Sequence, residues 1–295
     1  MSAPRFDLVA DPGAALGEGA VWSARLGGLL WVDIPAGRLH LHVPGGADRV
    51  WGTGEPLGCV AEAEDGTILL ASTSGFRRLD PATGAIGPPA GPAPGARGHR
   101  FNDGAVCPAG RFHAGTMPLA GPSAEDADGR LHAWCTGGAR EVHGGYHTLN
   151  GLAFAPGGRT AYVSDSFPAV RTIWAYDYDL DDGAWTNKRV FFDTCEVRGR
   201  PDGAAVDADG CYWMAGVGGG HLLRITPEGR IDMDLPVPIP KPTRPAFGGP
   251  DFSTLYVTSI AGDAPGAGGV FACHLPGVSG LPTPLAQSAG IPKTP

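Results

Sequence analysis

The stretch NGLAFAPGGRTAYVSD, residues 150–165, contains the pattern that decides the fold. A short apolar segment opens on a polar or small residue, runs into a Gly-containing turn, and is followed by a second apolar segment. Related openings occur at Glu18, Leu57, Asn102, Pro201 and Thr243. A third apolar segment follows in each repeat, and neighbouring repeats lie about 40 to 50 residues apart, which is the length of a β-propeller blade. We therefore predict an all-β fold, a six-bladed β-propeller.

The six repeats fill the chain, so we expect one domain over residues 1–295. A β-sandwich or a single closed barrel is the competing all-β architecture, but neither requires a six-fold recurrence of the same strand pair. No apolar run with helical spacing persists through the glycines, so helices are not expected.

The composition excludes several classes of protein. Gly and Pro make up about a quarter of the chain, which indicates many turns, while 42% hydrophobic residues and seven Trp require a core and argue against disorder. A formal net charge of −8 disfavours nucleic-acid or anionic-membrane surfaces. No stretch of about twenty apolar residues is present, and the N-terminal MSAPRFDLVADPG has no signal-peptide pattern. We expect a cytoplasmic protein that binds neither nucleic acid nor membranes, as a monomer or weak homo-oligomer.

The six cysteines are scattered without CxxC or CxxH spacing, at positions 59, 107, 135, 195, 211 and 273. A zinc ribbon or a thioredoxin-type site is therefore not expected. We expect reduced thiols, consistent with a cytoplasmic location.

The polar openings of the repeats predict a site. In a propeller the first strand of each blade lines the central channel, and glycines close to its start suit the crowded axis. Four openings carry Glu18, Asn102, Asn150 and Asp202, which this arrangement places around one axial pocket. Such residues are also common in turns, but their recurrence at one phase of a repeat favours a site.

Glu18, Asn150 and Asp202 are hard oxygen donors carrying two formal negative charges. This donor set suits one divalent cation, Ca²⁺, Mg²⁺ or Mn²⁺, with Zn²⁺ or Fe²⁺ left open.

Five motifs together resemble the gluconolactonase/regucalcin family of sugar lactonases, also called senescence marker proteins. The motifs are LGEGAVW, RFNDGAVCPAGRFHAGTM, NGLAFAPGGRTAYVSDS, RPDGAAVDADGCYWMAG and PTRPAFGGPDFSTLYVTS. The resemblance implies a six-bladed propeller, a single divalent metal in the channel, and hydrolysis of aldono-1,4- or 1,5-lactones. It also implies metal binding by Glu18, Asn150 and Asp202, and contact of Arg100 and Asn102 with sugar hydroxyls.

Asp202 is the predicted catalytic residue. It would remove a proton from the attacking water, while the metal polarises the lactone carbonyl. Attack by a water bound to the metal is the other open route. No GxSxG motif is present, so nothing in the sequence favours a serine hydrolase.

The sequence departs from the family pattern after Met117. Pro118, Leu119 and Ala120 stand where some relatives carry an acidic sugar contact, with Glu125 or Asp126 as candidate replacements. His147, just before a predicted metal ligand, is a further candidate for substrate binding. The apolar segment keeps one alternative open, a propeller esterase acting on aryl esters or organophosphates. A non-catalytic Ca²⁺-binding propeller is a further alternative, because fold alone does not assign function.

Overall fold

The computed structural model describes residues 4–293 as six antiparallel sheets around a central channel. The prediction of a six-bladed β-propeller is confirmed. The chain begins with β1 (Asp7–Ala10) and then forms the first blade from β2 (Gly17–Ser23), β3 (Gly28–Asp33), β4 (Arg38–His42) and β5 (Arg49–Gly52). The second blade has three strands: β6 (Leu57–Glu62), β7 (Ile68–Ser72) and β8 (Gly75–Leu79).

A 3₁₀ turn at Pro94–Arg97 leads into the third blade. This blade contains β9 (His99–Val106), β10 (Phe112–Pro118), β11 (Gly129–Cys135) and β12 (Gly138–Tyr146). The fourth contains β13 (Leu149–Phe154), β14 (Thr160–Asp165), β15 (Thr172–Tyr178) and β16 (Trp185–Asp193). The fifth contains β17 (Arg200–Val206), β18 (Tyr212–Val217), β19 (His221–Ile225) and β20 (Ile231–Pro236).

The sixth blade joins the two ends of the described chain. Its inner strands are β21 (Pro242–Gly248), β22 (Thr254–Ser259) and β23 (Val270–His274), and its outer strand is β1. The β1–β23 pairing, with Asp7 opposite Ala272, closes the ring of blades by backbone hydrogen bonds. The pairing gives the sixth blade its fourth strand and ties the first strand of the chain to the last blade.

The first strand of each blade contacts the first strands of both neighbouring blades, so these six strands form the channel wall. Between them, apolar side chains fill the spaces from blade to blade. Leu30, Leu57 and Leu70, for example, are fully buried in one cluster shared by the first and second blades.

Each inner strand is irregular at the same place, immediately after its opening residue. The pairing of β2 with β3 shifts between Glu18 and Val21, and that of β13 with β14 between Asn150 and Ala153. Gly19 and Gly151 adopt positive φ angles of 60° and 61° there, which favours glycine. Such bulges re-aim side chains, and here they occur where the predicted site begins.

Two further observations bear on the sequence-based expectations. All six cysteines are free thiols, as expected. Within residues 4–293, no helix has the length and apolar character required to span a membrane.

Candidate active site

The structure brings the four polar opening residues together at one end of the channel, called here the upper end. Glu18, Asn102, Asn150 and Asp202 each expose 6% or less of their surface. They lie at the starts of β2, β9, β13 and β17, and we call these four residues the ring. Burial of so many polar groups requires mutual hydrogen bonds.

A continuous chain of contacts links the ring. Arg100 donates to Asn102 Oδ1 at 2.6 Å, and Asn102 Nδ2 donates to Asn150 Oδ1 at 3.0 Å. Asn150 Nδ2 donates in turn to Asp202 Oδ1 at 2.8 Å. The carboxyl groups of Asp202 and Glu18 lie within hydrogen-bond distance of each other. The residues expected to bind metal and those expected to bind sugar therefore form one connected unit.

Burial disfavours ionisation of both carboxyl groups. Burial, and then the charge of Asp103, raises the pKa of Glu18. Burial, and then the charge of Glu18, raises the pKa of Asp202. Two buried carboxylates in contact need either a shared proton or a cation between them.

This donor chemistry fits a divalent cation. Among residues 4–293, no three His, Cys, Asp or Glu side chains converge on a point, so the ring has two acids and needs the amide of Asn150 as its third ligand. Asn150 turns its nitrogen toward Asp202 and Ser166, and its oxygen toward Asn102. A half-turn of the amide exchanges these two atoms and presents the oxygen to the carboxyl groups.

Arg100 lies half-buried beside the acids. Burial lowers the pKa of its guanidinium to about 10, while the charges of Glu18 and Asp202 act in the opposite direction. Arg100 is therefore still cationic at neutral pH. It also donates to the Phe101 carbonyl at 3.1 Å, which fixes its direction.

His147 is half-buried just above the ring. Its Nδ1 donates to the Ser123 carbonyl at 2.8 Å, and its ring stacks on Phe167 with centroids 4.3 Å apart. Phe167 adjoins Ser166, the hydroxyl that accepts a hydrogen bond from Asn150. The contact with Ser123 leaves Nε2 without the proton in the neutral imidazole, so this atom is an acceptor.

The segment after Met117 covers this side of the mouth with apolar and exposed residues. Leu119 is 48% exposed, and its backbone donates to the Gly98 carbonyl at 2.8 Å. Glu125 and Asp126 are both exposed, and Asp126 accepts a hydrogen bond from the Ser123 hydroxyl at 2.9 Å.

A buried ion pair directly below the ring was not predicted. Asp103 and Arg244 follow ring-level residues on the third and sixth blades, which face each other across the channel. The Arg244 guanidinium contacts the Asp103 carboxylate, which also accepts hydrogen bonds from the backbone of Gly104 and Leu152. The other four blades have glycine at this position: Gly19, Gly58, Gly151 and Gly203.

An alignment of the six openings contains the signal for this pair. At the position after the opening residue, four repeats have glycine and the other two have Asp103 and Arg244. The opening at Thr243 leads into Arg244. The Thr243 hydroxyl donates to the Gly17 carbonyl at 2.5 Å and thereby ties the sixth blade to the first.

Below the ion pair, the channel ends in a cavity of about 310 Å³. Its wall is mainly alanine and valine, with Trp22, Phe154 and Phe247 farther down, and residues 281–284 lie at its mouth. We call this the lower end of the channel.

The fold and the ring define a six-bladed β-propeller with a buried, acid-containing polar site at one end of its channel. Residues 16–261 match the family described as SMP-30/Gluconolactonase/LRE-like region. The chain belongs to this family, which confirms the resemblance seen in the motifs.

Named relatives cover nearly the whole chain. A 6-deoxy-6-sulfogluconolactonase of Pseudomonas putida is 39% identical, over 92% of this chain and 95% of that protein. A pentonolactonase of Haloferax volcanii is 34% identical, over 88% of this chain and 87% of that protein. The solved structure of regucalcin from Agrobacterium tumefaciens, described as a calcium-binding protein, is 28% identical with a TM-score of 0.88, covering 97% of this chain and 99% of that one.

Proposed function

We propose that this protein hydrolyses an aldono-1,4- or 1,5-lactone to the open aldonic acid, using one divalent cation. The observation that carries the proposal is the hydrogen-bonded unit of Asn102, Asn150 and Asp202 in contact with Glu18. The names of two relatives, a sulfogluconolactonase and a pentonolactonase, support the same reaction class.

Glu18, Asn150 and Asp202 would hold the cation, which would be Ca²⁺, Mg²⁺, Mn²⁺, Zn²⁺ or Fe²⁺. The calcium-binding description of a relative favours Ca²⁺ among these. When bound, the cation supplies positive charge that polarises the lactone carbonyl and offsets the charge developing on its oxygen.

Asp202 is the general base. In this structure its Oδ1 accepts from Asn150 Nδ2. Once the Asn150 amide turned its oxygen inward, the cation that both residues would hold would orient the carboxylate instead. The deprotonated carboxylate takes a proton from a water molecule while the water oxygen bonds to the lactone carbonyl carbon. The bond from that carbon to the ring oxygen then breaks, and the proton returns to the ring oxygen as it becomes a hydroxyl group. One water is consumed, and no covalent intermediate with the protein forms.

Arg100, Asn102 and His147 orient the sugar. Arg100 and Asn102 offer hydrogen bonds to hydroxyl groups from one side of the ring, and His147 offers its Nε2 as an acceptor from above. Correct orientation of the carbonyl relative to the water is itself a large share of the rate enhancement.

The test is a pH-indicator assay over a panel of aldonolactones, with the uncatalysed rate subtracted. The protein is treated with a chelator, and single metals are then restored. We expect hydrolysis to disappear with the chelator and to return with at least one metal. Hydrolysis that persists unchanged without metal contradicts the metal-dependent mechanism, and metal binding without hydrolysis of any lactone favours the non-catalytic Ca²⁺-binding alternative.

A second candidate is hydrolysis of aryl esters or organophosphates. The exposed, apolar Leu119 at the mouth favours it, because aryl groups bind apolar surfaces. Measuring phenyl acetate, paraoxon and a gluconolactone with the same metal separates the two functions. A higher kcat/KM for the lactone supports the main proposal.

We also propose that residues 1–295 form one domain that acts in the cytoplasm as a monomer or weak homo-oligomer. The six free thiols support a reducing compartment. Light scattering at several protein concentrations tests the oligomeric state, and a stable dimer or larger assembly at every concentration contradicts the proposal.

A further inference from the structure

A second layer of residues stands above the ring at the same phase of the repeat. Residues two apart on a strand point to the same side, so Arg100 and Arg200 lie on the same side of β9 and β17 as Asn102 and Asp202. Three of the six positions that stand two residues before an opening are cationic, Arg100, Arg200 and Lys241, in a protein whose net charge is −8. The full set is Leu16, Glu55, Arg100, Thr148, Arg200 and Lys241.

Arg100 and Arg200 lie on the strands that carry Asn102 and Asp202, and Lys241 lies at the upper end of the sixth blade. The Arg100 side chain donates directly to Asn102, two residues on, as the strand geometry predicts. Arg200 is the exposed first residue of β17, two positions before Asp202. The Lys241 carbonyl accepts from the Ile260 backbone at 3.1 Å, which holds that residue at the upper end of the sixth blade.

Among residues 4–293, neither Arg200 nor Lys241 has an acidic partner within 4 Å. Both are exposed, and the ion pairs within 4 Å formed by residues 4–293 include neither of them. Most other arginines of the protein pair with a carboxylate or with carbonyl groups. Two free cations on one rim are therefore available to a ligand.

The one acidic residue of this layer does not cancel their charge. Glu55 accepts hydrogen bonds from the hydroxyls of Ser72, Thr73 and Ser74, at 2.6 to 2.9 Å. It also pairs with Arg77 at 3.0 Å. The charge of Arg77 thus offsets that of the carboxylate, which points toward the second blade rather than toward the other cations.

Arg200 is presented by a well-anchored segment. The Arg171 guanidinium donates to the carbonyls of Thr194 and Val197 at 2.6 and 2.8 Å, and also to that of Gly199. These contacts fix the connection between β16 and β17 up to the residue before Arg200. A preorganised cation binds an anion with less loss of conformational entropy than a free one.

We propose that Arg200 and Lys241, beside Arg100, bind an anionic group on the substrate, so that the preferred substrates are sugar lactones with a negatively charged substituent away from the lactone carbonyl. The inference rests on the proposed function. Phosphate, sulfonate and carboxylate groups share the required chemistry, since each accepts charge-assisted hydrogen bonds from arginine.

The test compares gluconolactone with its 6-phosphate, 6-sulfonate and 6-carboxylate counterparts. We expect kcat/KM to be at least about tenfold higher for one or more charged lactones than for gluconolactone, as one charge-assisted hydrogen bond provides. The three charged substrates distinguish which anion fits. A wild-type protein that prefers the neutral lactone to all three overturns the inference.

Arg200→Gln and the double variant with Lys241→Gln identify the residues. We expect Arg200→Gln to lower kcat/KM about tenfold for the best charged lactone, and less than about threefold for gluconolactone. Arg200→Lys should restore part of the loss. Arg230→Gln is the matched control: Arg230 is an exposed arginine in the β19–β20 turn at the lower end, so the net charge changes equally. Equal losses for charged and neutral lactones in Arg200→Gln contradict the inference.

Binding measured by calorimetry separates this inference from the proposed function. 6-Phosphogluconate and gluconate are titrated into wild type and Arg200→Gln, and no turnover is needed. If wild type binds 6-phosphogluconate more tightly than gluconate, and Arg200→Gln loses this difference, the anion site is supported even if no lactone is hydrolysed. If wild type binds 6-phosphogluconate and gluconate with equal affinity, the anion site is overturned even if lactones are hydrolysed.

Discussion

The two ends of the channel are built by the same six strands but have opposite character. At the upper end these strands begin with buried acids and amides, and with cations one layer above. Three residues past the ring level, the same strands contribute only small apolar side chains to the lower cavity. These are Val21, Val60, Ala105, Ala153, Ala205 and Ala246.

The Asp103–Arg244 pair lies between the two ends. It fills the axis at the level where the other blades have glycine, so the acids above it are separated from the apolar cavity below. One repeated strand can therefore serve two purposes along its length. Its first residues provide chemistry, and its later residues provide packing.

The largest expected effect distinguishes the two ends by activity. Asp202→Ala should lower kcat/KM by at least about a thousandfold, because it removes the base together with a metal ligand. Leu281→Ala, an exposed change at the lower mouth, should alter kcat/KM by less than about twofold. Steady-state lactone hydrolysis with and without chelator measures both. Near-full activity in chelator-treated Asp202→Ala contradicts the mechanism, and a large loss in Leu281→Ala contradicts the division between the ends.

The next effect concerns the Asp103–Arg244 ion pair between the two ends. Arg244→Met should reduce the free energy of unfolding by about 3–5 kcal/mol, because Asp103 remains buried without its cation. The double variant with Asp103→Asn should recover part of this loss. Urea denaturation measures all three proteins. Arg230→Met, which breaks the exposed pair with Glu228, is the control and should cost less than about 1 kcal/mol. A similar cost for both single variants would argue against a structural role for the buried pair.

A smaller effect tests how closely the inner strands approach each other directly below the ring. A Cβ added at Gly58 would lie 2.3 Å from the carbonyl carbon of Phe101, on the neighbouring inner strand. Gly58→Ala should therefore cost about 1–3 kcal/mol through backbone displacement. Gly52, on the outer strand of the first blade, has no neighbour within 4 Å, so Gly52→Ala should stay within about 0.5 kcal/mol of wild type. Equal melting temperatures for the two variants would contradict the close approach.

The smallest effect is a pH dependence confined to the upper end. Burial raises the pKa of both Glu18 and Asp202 above their ordinary values of 4.5 and 3.8, so the folded, metal-free protein holds protons that the unfolded chain releases. Its stability should therefore fall as the pH rises from about 5 to about 8. Added Ca²⁺ should restore it, and the Ca²⁺-induced rise in melting temperature should grow by a few degrees over this range. The expectation is contradicted if the Ca²⁺-induced rise in melting temperature is the same at every pH, or if it persists in Glu18→Ala.

Much of the fold could be predicted because the inner three strands of each blade carry clear apolar segments. The outer strands were missed for a physical reason. In β16, for example, most residues are exposed, so the apolar pattern that identifies a strand is faint. The pairing of β1 with β23 was not predictable either, because it joins segments more than 250 residues apart.

The sequence by itself determined the six-fold repeat, the family, and the phase that gathers Glu18, Asn102, Asn150 and Asp202 at one end of the channel. These follow from local patterns that recur along the chain. Only the tertiary structure decided that Arg244 reaches Asp103 across the axis. It also decided that Arg200 and Lys241 find no acidic partner among residues 4–293. Such relations depend on which blades face each other and on which charges find partners, and both are properties of the closed ring rather than of any one repeat.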